Sequence, residues 1–255
     1  MQLGFFNAGV GGKMAQLKLD AISHSLANAN TTGYMEDHTS FSSFFSNKMS
    51  REGVPGKTSS AFISADKQYV STQAGIFRNT GNNLDFAIHG DAYFRVKMPN
   101  GEEALTRAGN FKMDAEGNLL TQGNLAVLDQ SGSPIQLPAG KISITDDGSI
   151  YVDNNTRDDT AAQQVAQLGL SSIKDSRQIR KIAGVLLKTP ANNIGEAGSS
   201  IAVRQGEVEA SNVNSVLAMT KMIDTMRSYQ STMKIVEQFN QQAGLLNDRV
   251  GVVQG

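Results

Sequence analysis

Residues 211–249 read SNVNSVLAMTKMIDTMRSYQSTMKIVEQFNQQAGLLNDR, and the reading of this stretch decides the fold. Apolar side chains recur at Met219, Met222, Met226, Tyr229, Met233 and Val236, and the line continues more weakly through Asn240 and Ala243. The gaps alternate between three and four residues. That is the a/d spacing of a coiled-coil seam, narrower than the stripe of an ordinary surface helix. No proline interrupts the pattern, and its first glycine is Gly244. Ser211, Asn212 and Asn214 stand where N-caps belong. At the usual rise per residue such a helix extends about 55–60 Å. A periodic pattern of this length indicates a coiled coil, a membrane span or a repeat. Lys221, Asp224, Arg227, Lys234 and Glu237 exclude the span. Two readings stand: a helix lying on its own domain, or a seam awaiting other helices.

The opposite end of the chain carries a second seam. Phe5, Ala8, Gly12, Ala15, Leu19, Ile22, Leu26 and Ala29 repeat at the same spacing, which predicts a helix over 3–30. Gly9, Gly11 and Gly12 each cost about 1 kcal/mol of helix propensity relative to alanine, so this helix should fray unless something packs on it. Gly11-Gly12-Lys13 mimics a phosphate loop. Asn7 stands in place of its first glycine, Met14 in place of its Ser or Thr, and no strand precedes it. Asn28-Ala29-Asn30-Thr31-Thr32-Gly33-Tyr34 supplies stop signals, with Gly33 suited to the left-handed position after a helix.

Between the helices the period falls to two. Residues 35–60 read as an extended connector, with too many phenylalanines (Phe41, Phe44, Phe45) for a free linker. From 61 to 210, short apolar runs such as Phe86-Ala87-Ile88 and Tyr93-Phe94-Arg95-Val96 alternate with turn signals at Asn100-Gly101, Gly117-Asn118, Gly123-Asn124, Gly132 and Asp147-Gly148. Residues 157–167 read as a loop or short helical excursion, with strand character returning from Val165. The expected class is α+β. Helices in 1–34 and 211–255 pair antiparallel, as a coiled-coil-like handle on an antiparallel all-β core at 61–210.

Composition narrows the function. A net charge of −1 gives no global drive toward nucleic acid or an anionic membrane. The absence of cysteine removes disulfides, thiolate nucleophiles and thiolate metal sites. No basic segment followed by an apolar run opens the chain, and no run is long enough to span a bilayer. On those signs alone a soluble cytoplasmic protein is expected. The histidines are His24, His38 and His89, none with a partner at metal-ligand spacing. His89, with Asp91 nearby, is the one residue on which a hydrolase with helical oligomerisation arms could be built, but no nucleophile motif accompanies it. Asp146-Asp147 and Asp158-Asp159 are adjacent acids that point to opposite faces if extended, unlike converging catalytic carboxylates. No enzyme activity, cofactor or metal is expected. A glycan- or peptide-binding β surface is a further reading, without a visible aromatic platform.

Three blocks resemble the flagellar rod and hook proteins of bacteria. The first is Ser25-Leu26-Ala27-Asn28-Ala29-Asn30-Thr31-Thr32-Gly33-Tyr34, similar to that family's Asn-Leu-Ala-Asn-x-x-Thr-x-Gly-Phe signature. Ser25 replaces its first Asn and Tyr34 its Phe. The second runs from Thr80 to Gly90 and through Leu105-Thr106-Arg107-Ala108-Gly109-Asn110-Phe111. The third is Gly206-Glu207-Val208-Glu209-Ala210-Ser211-Asn212-Val213-Asn214, leading into Met222-Ile223, Arg227 and Tyr229. The resemblance implies an axial basal-body subunit whose terminal helices build the inner tube of a helical polymer, with copies of itself, other rod proteins and hook–basal body neighbours as partners. It also implies export through the flagellar type III apparatus without a cleaved signal, to the extracytoplasmic side. Phe41-Ser42-Ser43-Phe44-Phe45, with Phe41 and Phe45 as its hydrophobic positions, fits the family's export-gate element. The expected assembly seams are Ala15, Leu19, Ile22 and Leu26 with Met219, Met222, Met226, Tyr229, Met233 and Val236. The tail Met226–Lys234 looks closer to a proximal rod protein; a distal rod protein or hook-type subunit is the alternative within the family.

Overall fold

The computed structural model describes residues 2–46, 60–153, 163–198 and 201–251. At 2–6, 39–46, 60–68, 243 and 246–251 it describes the backbone alone. Helix α1 spans Gln2–Ala27 and α2 spans Ser215–Gly251. Between them come β1 (Asp37–Ser46), β2 (Ser60–Val70), β3 (Phe77–Asn79), β4 (Phe86–His89), β5 (Tyr93–Lys97) and β6 (Glu103–Thr106). There follow β7 (Lys112–Met113), β8 (Leu119–Leu120), β9 (Ala126–Val127), β10 (Lys141–Ile144), β11 (Ser149–Asp153) and β12 (Gln163–Gln167). The last strands are β13 (Leu170–Ile173), β14 (Arg180–Ala183), β15 (Leu186–Lys188), β16 (Ile194–Glu196), β17 (Ala202–Gln205) and β18 (Glu207–Glu209). The α+β class holds.

The chain divides into two compact units. One comprises α1 to Leu26, the segment 37–68 with the β1–β2 pair, and α2; the other comprises 27–36 and 69–213. In the helical unit α1 runs antiparallel to α2. Gly11, Met14, Ala15 and Lys18 share a groove with Ser228, Thr225, Asp224 and Lys221. A methyl group added at Gly12 would sit 3.6 Å from Met233 Sδ. Both helices are shorter than the sequence predicts. The chain leaves helix at Ala27 rather than residue 30, and α2 starts at Ser215 rather than 211. The reason at the second boundary is the cap: Asn214 Oδ1 accepts from Leu217 N at 3.1 Å, so the residues before it are extended.

The strand unit is built from several small sheets. The largest has the hydrogen-bonded path β14-β15-β6-β5, and the edge of β5 opposite β6 is shared by two branches, β9-β8-β7 at Val96–Lys97 and β13-β16 at Tyr93–Phe94. Phe94 pairs with Thr106 on one side and Leu170 on the other. The side-chain alternation of period two puts Phe94 and Val96 inside with Phe86, Ile88, Leu119, Val127, Ile135 and Ile150. Phe111 packs edge-on to Phe94, ring centroids 5.1 Å apart. A second cluster gathers Met35, Val70, Tyr93, Leu105, Ile179 and Leu187.

The turn signals translate into backbone: Gly101, Gly117, Gly132 and Gly148 all take positive φ. At Gly123-Asn124 it is Asn124 that does so, with φ 60°. Two stretches differ from expectation. Gln163–Gln167 is strand β12, because Gln163 and Gln164 pair with Val152 and Tyr151 where a loop was expected; residues 154–162 lie outside the described residues. The stretch expected as a connector begins with the ten residues of β1.

Candidate assembly surfaces

Helix α2 carries two parallel lines of side chains, and they differ in exposure. The covered line is Ala218, Met222, Thr225, Tyr229, Thr232, Val236 and Phe239, with Ala218 and Thr225 fully buried and the rest half-buried. The threonine hydroxyls on it return to their own backbone: Thr225 Oγ1 donates to Lys221 O at 2.7 Å and Thr232 Oγ1 to Ser228 O at 2.9 Å. A buried hydroxyl therefore needs no partner from another helix. The second line is Val216, Met219, Ile223, Met226 and Met233, exposed by 73, 51, 52, 53 and 43%. It has the same three-four spacing, broken only by Gln230, and runs about 25 Å along the helix. An apolar row of that length facing water marks a contact surface.

The six α2 residues expected to form one seam are thus divided between the two lines. Met222, Tyr229 and Val236 lie on the covered side; Met219, Met226 and Met233 lie on the open side. In α1, Ala15, Leu19, Ile22 and Leu26 are all half-buried, and Gly12 is buried. The Phe41 and Phe45 side chains lie outside the described residues, on the backbone of β1.

Within the strand unit, the signature residues form a junction. Asn28 accepts from Thr31 through backbone and side chain, at 3.0 and 3.2 Å. Gly33, at φ 68°, donates to Glu209 O at 2.8 Å, and a Cβ there would fall 2.2 Å from Ala108 N. Tyr34 is buried, with Lys181 Nζ 3.8 Å from its ring centroid; the same ammonium donates to Met35 O at 2.6 Å. Asn212 ties three chain segments together. Its Oδ1 accepts from Glu36 N at 2.7 Å, and its Nδ2 donates to Ser71 O and Gln73 O at 3.2 and 2.9 Å. Ser211 accepts from Val213 N at 3.2 Å, while Ala27 is exposed.

Beneath this junction lies a buried ion pair that the sequence reading missed. Arg107 Nη1 donates to Glu209 Oε2 at 3.1 Å and to Ile88 O at 3.2 Å, and Nη2 donates to Gly90 O at 2.8 Å. The other oxygen of Glu209 accepts from Gly75 N at 2.8 Å. The guanidinium covers the Tyr93 ring at 4.8 Å. Burial pushes the Tyr93 phenol above its ordinary pKa, with the charge of Arg107 opposing. Arginine and glutamate 102 residues apart in the chain give no local signal of pairing.

His89, the one residue that suggested catalysis, stacks on Phe77 with centroids 3.9 Å apart and faces Glu207 Oε2 at 3.2 Å. Asp91, the acid near it in sequence, approaches Arg107 at 3.8 Å. Among the described residues no group of three His, Asp or Glu side chains could hold a metal, and no helix is long and apolar enough to cross a membrane.

Taken together, the molecule belongs to the class of proteins with two long terminal helices, one presenting an open apolar row, joined by a β unit closed with a signature junction. Comparison with known proteins makes this specific. Residues 87–152 match the sequence family described as the flagellar hook protein FlgE/F/G D1 domain, and residues 204–249 match the flagellar basal body rod FlgEFG protein C-terminal family. The chain is 32% identical to the flagellar basal-body rod protein FlgF of Mesorhizobium japonicum, over 87% of this chain and 86% of that one. It is 31% identical to FlgF of Rhizobium meliloti (91% and 90% covered) and 32% identical to FlgG of Bacillus subtilis (90% and 92%). The chain belongs to the flagellar basal-body rod protein family.

Proposed function

We propose that this protein is a structural subunit of the bacterial flagellar rod, placed in its proximal segment. In this reading α1 and α2 pair as a coiled-coil-like handle and polymerise with copies of the chain and with other rod and hook–basal body proteins. The observation that carries the reading is the open line Val216, Met219, Ile223, Met226 and Met233, which repeats at heptad spacing beside a line already covered. A single chain leaves that second line in water, whereas a bundle of neighbours buries it. About half of each side chain is still exposed, so covering the line contributes roughly 4–8 kcal/mol gross per subunit before ordering costs. Methionine suits such a surface because its unbranched side chain adapts to neighbours in slightly different geometries.

The subunit leaves the cytoplasm through the flagellar type III apparatus, with Phe41 and Phe45 as the export-gate element, and works on the extracytoplasmic side without inserting into a membrane. The proximal assignment is supported by the tail Met226–Lys234. Relatives named FlgF and FlgG match it at similar identity, so the axial position needs its own measurement: imaging of purified basal bodies with the chain labelled. The assembly reading is tested by Met226→Glu. The variant keeps the β-sheet circular dichroism of the parent and is lost from isolated basal bodies; undiminished incorporation overturns the reading.

A further inference from the structure

Methionine is the only sulfur-bearing residue of this chain. The sequence holds ten methionines and neither cysteine nor tryptophan, so the thioether is its readiest target for a mild oxidant. Met219, Met226 and Met233 are exposed by 51, 53 and 43%, and Met113 on β7 by 41%. Met14, Met98 and Met222 are half-buried, and Met35 is buried. Among the described residues, three of the four exposed methionines thus lie on α2, seven residues apart in one line. Successive members are spaced by about 10 Å along the helix.

In water these sulfurs are reached without any opening of the fold. A hydroperoxide is the oxidant that suits them. The sulfur lone pair attacks its distal oxygen, the S–O bond forms as the O–O bond breaks, and sulfur gives up two electrons. The proton of the distal oxygen passes to the departing one, so hydrogen peroxide leaves as water. The product is a sulfoxide, polar and chiral where the thioether was apolar, and methionine sulfoxide reductases reverse it. Past its first turn, α2 has its N–H groups engaged within the helix, so a covered sulfoxide oxygen finds no backbone donor there. Burial of an unpaired acceptor is unfavourable, and the modified line resists a neighbour that the thioether line accepts.

We propose that Met219, Met226 and Met233 form an oxidation site, at which a hydroperoxide converts the free subunit into a form that is excluded from assembly. The inference rests on the rod-subunit reading and adds regulation of its open line. Met233 reacts more slowly than the other two, because its Sδ lies 3.6 Å from the Cβ position of Gly12 on α1.

Purified chain treated with hydrogen peroxide, digested and mapped by mass spectrometry locates the site. Oxygen is expected first on Met219, Met226 and the reference Met113, then on Met233, with Met35 slower by about tenfold or more. Oxidation of the α2 line no faster than that of Met35 overturns the site. The exclusion is read with Met219→Gln/Met226→Gln, whose side-chain carbonyls stand in for the sulfoxide oxygens. In variants whose circular dichroism matches the parent, the pair is expected to enter basal bodies about tenfold less than Met113→Gln. Equal incorporation of the two overturns the exclusion while leaving the rod reading standing. Absence of the parent chain from basal bodies overturns both. In cells pulsed with peroxide, extra sulfoxide reductase is expected to raise incorporation of the parent. No gain, with the sulfoxides on the α2 line shown to be removed, counts against the proposal.

Discussion

At the junction of the strand unit, single residues are fixed by space and charge more than by hydrophobicity. Gly33 has a left-handed φ and lies against the backbone of Ala108, so a side chain is excluded twice. Asn212 is fixed by its amide, which meets three backbone groups from 36, 71 and 73 with one acceptor and two donor bonds. Arg107 and Glu209 are fixed by each other. Each is buried, and each also bonds backbone groups, Gly90 O and Gly75 N among them. Removing one member leaves a buried, unpaired charge, so Glu209→Ala is expected to destabilise the strand unit by about 3–5 kcal/mol. Urea unfolding followed by circular dichroism measures this; a loss below about 1 kcal/mol would mean that water reaches Arg107 once the carboxylate is gone.

Among the elements, the helices show what spacing reveals and what it hides. The heptad period of α2 is plain in the sequence, because three-four gaps over this length leave no other regular structure. The face was harder to read. The lines through Met219, Met226 and Met233 and through Ala218, Thr225 and Thr232 are one residue apart, and hydropathy selects the methionines. Packing instead covers the line that starts from small residues: Gly11 and Gly12 of α1 meet Thr232, and Met233, next to it, is the open-line residue that reaches Gly12. The glycines themselves have room. A Cβ at Gly9 meets nothing within 4 Å, and at Gly11 and Gly12 its nearest contacts are 3.7 and 3.6 Å. Gly9→Ala/Gly11→Ala/Gly12→Ala is therefore accommodated within one chain and gains about 1 kcal/mol of helix propensity per site. The free protein should show increased helical circular dichroism. If another copy approaches α1 across those glycines, incorporation into basal bodies falls at the same time. The strands were legible through their turns, since Gly101, Gly117, Gly132 and Gly148 mark φ values that other residues avoid. Strand order was not, because pairings such as Phe94 with Leu170 depend on long-range closure that leaves no local pattern.

For the whole molecule, the proposed reading assigns folding to one of the two units and assembly to the other. The strand unit contains both buried hydrophobic clusters and the Arg107–Glu209 pair, all within residues 27–36 and 69–213. The helical unit depends on α1, whose glycines oppose helix formation, and on α2, whose open line faces water. A chain truncated to residues 27–213 keeps every residue of both clusters and every member of the signature junction from Ala27 to Val213. It should therefore unfold cooperatively, with a urea midpoint close to that of the strand transition in the full protein. The helical signal at 222 nm should fall by most of its amplitude, and the truncated chain should not enter basal bodies. Two results would go against this division. A truncated chain without a cooperative transition would make the terminal helices part of the strand unit's stability. A truncated chain that still assembles would move the principal contact from the helical seams to the strand unit.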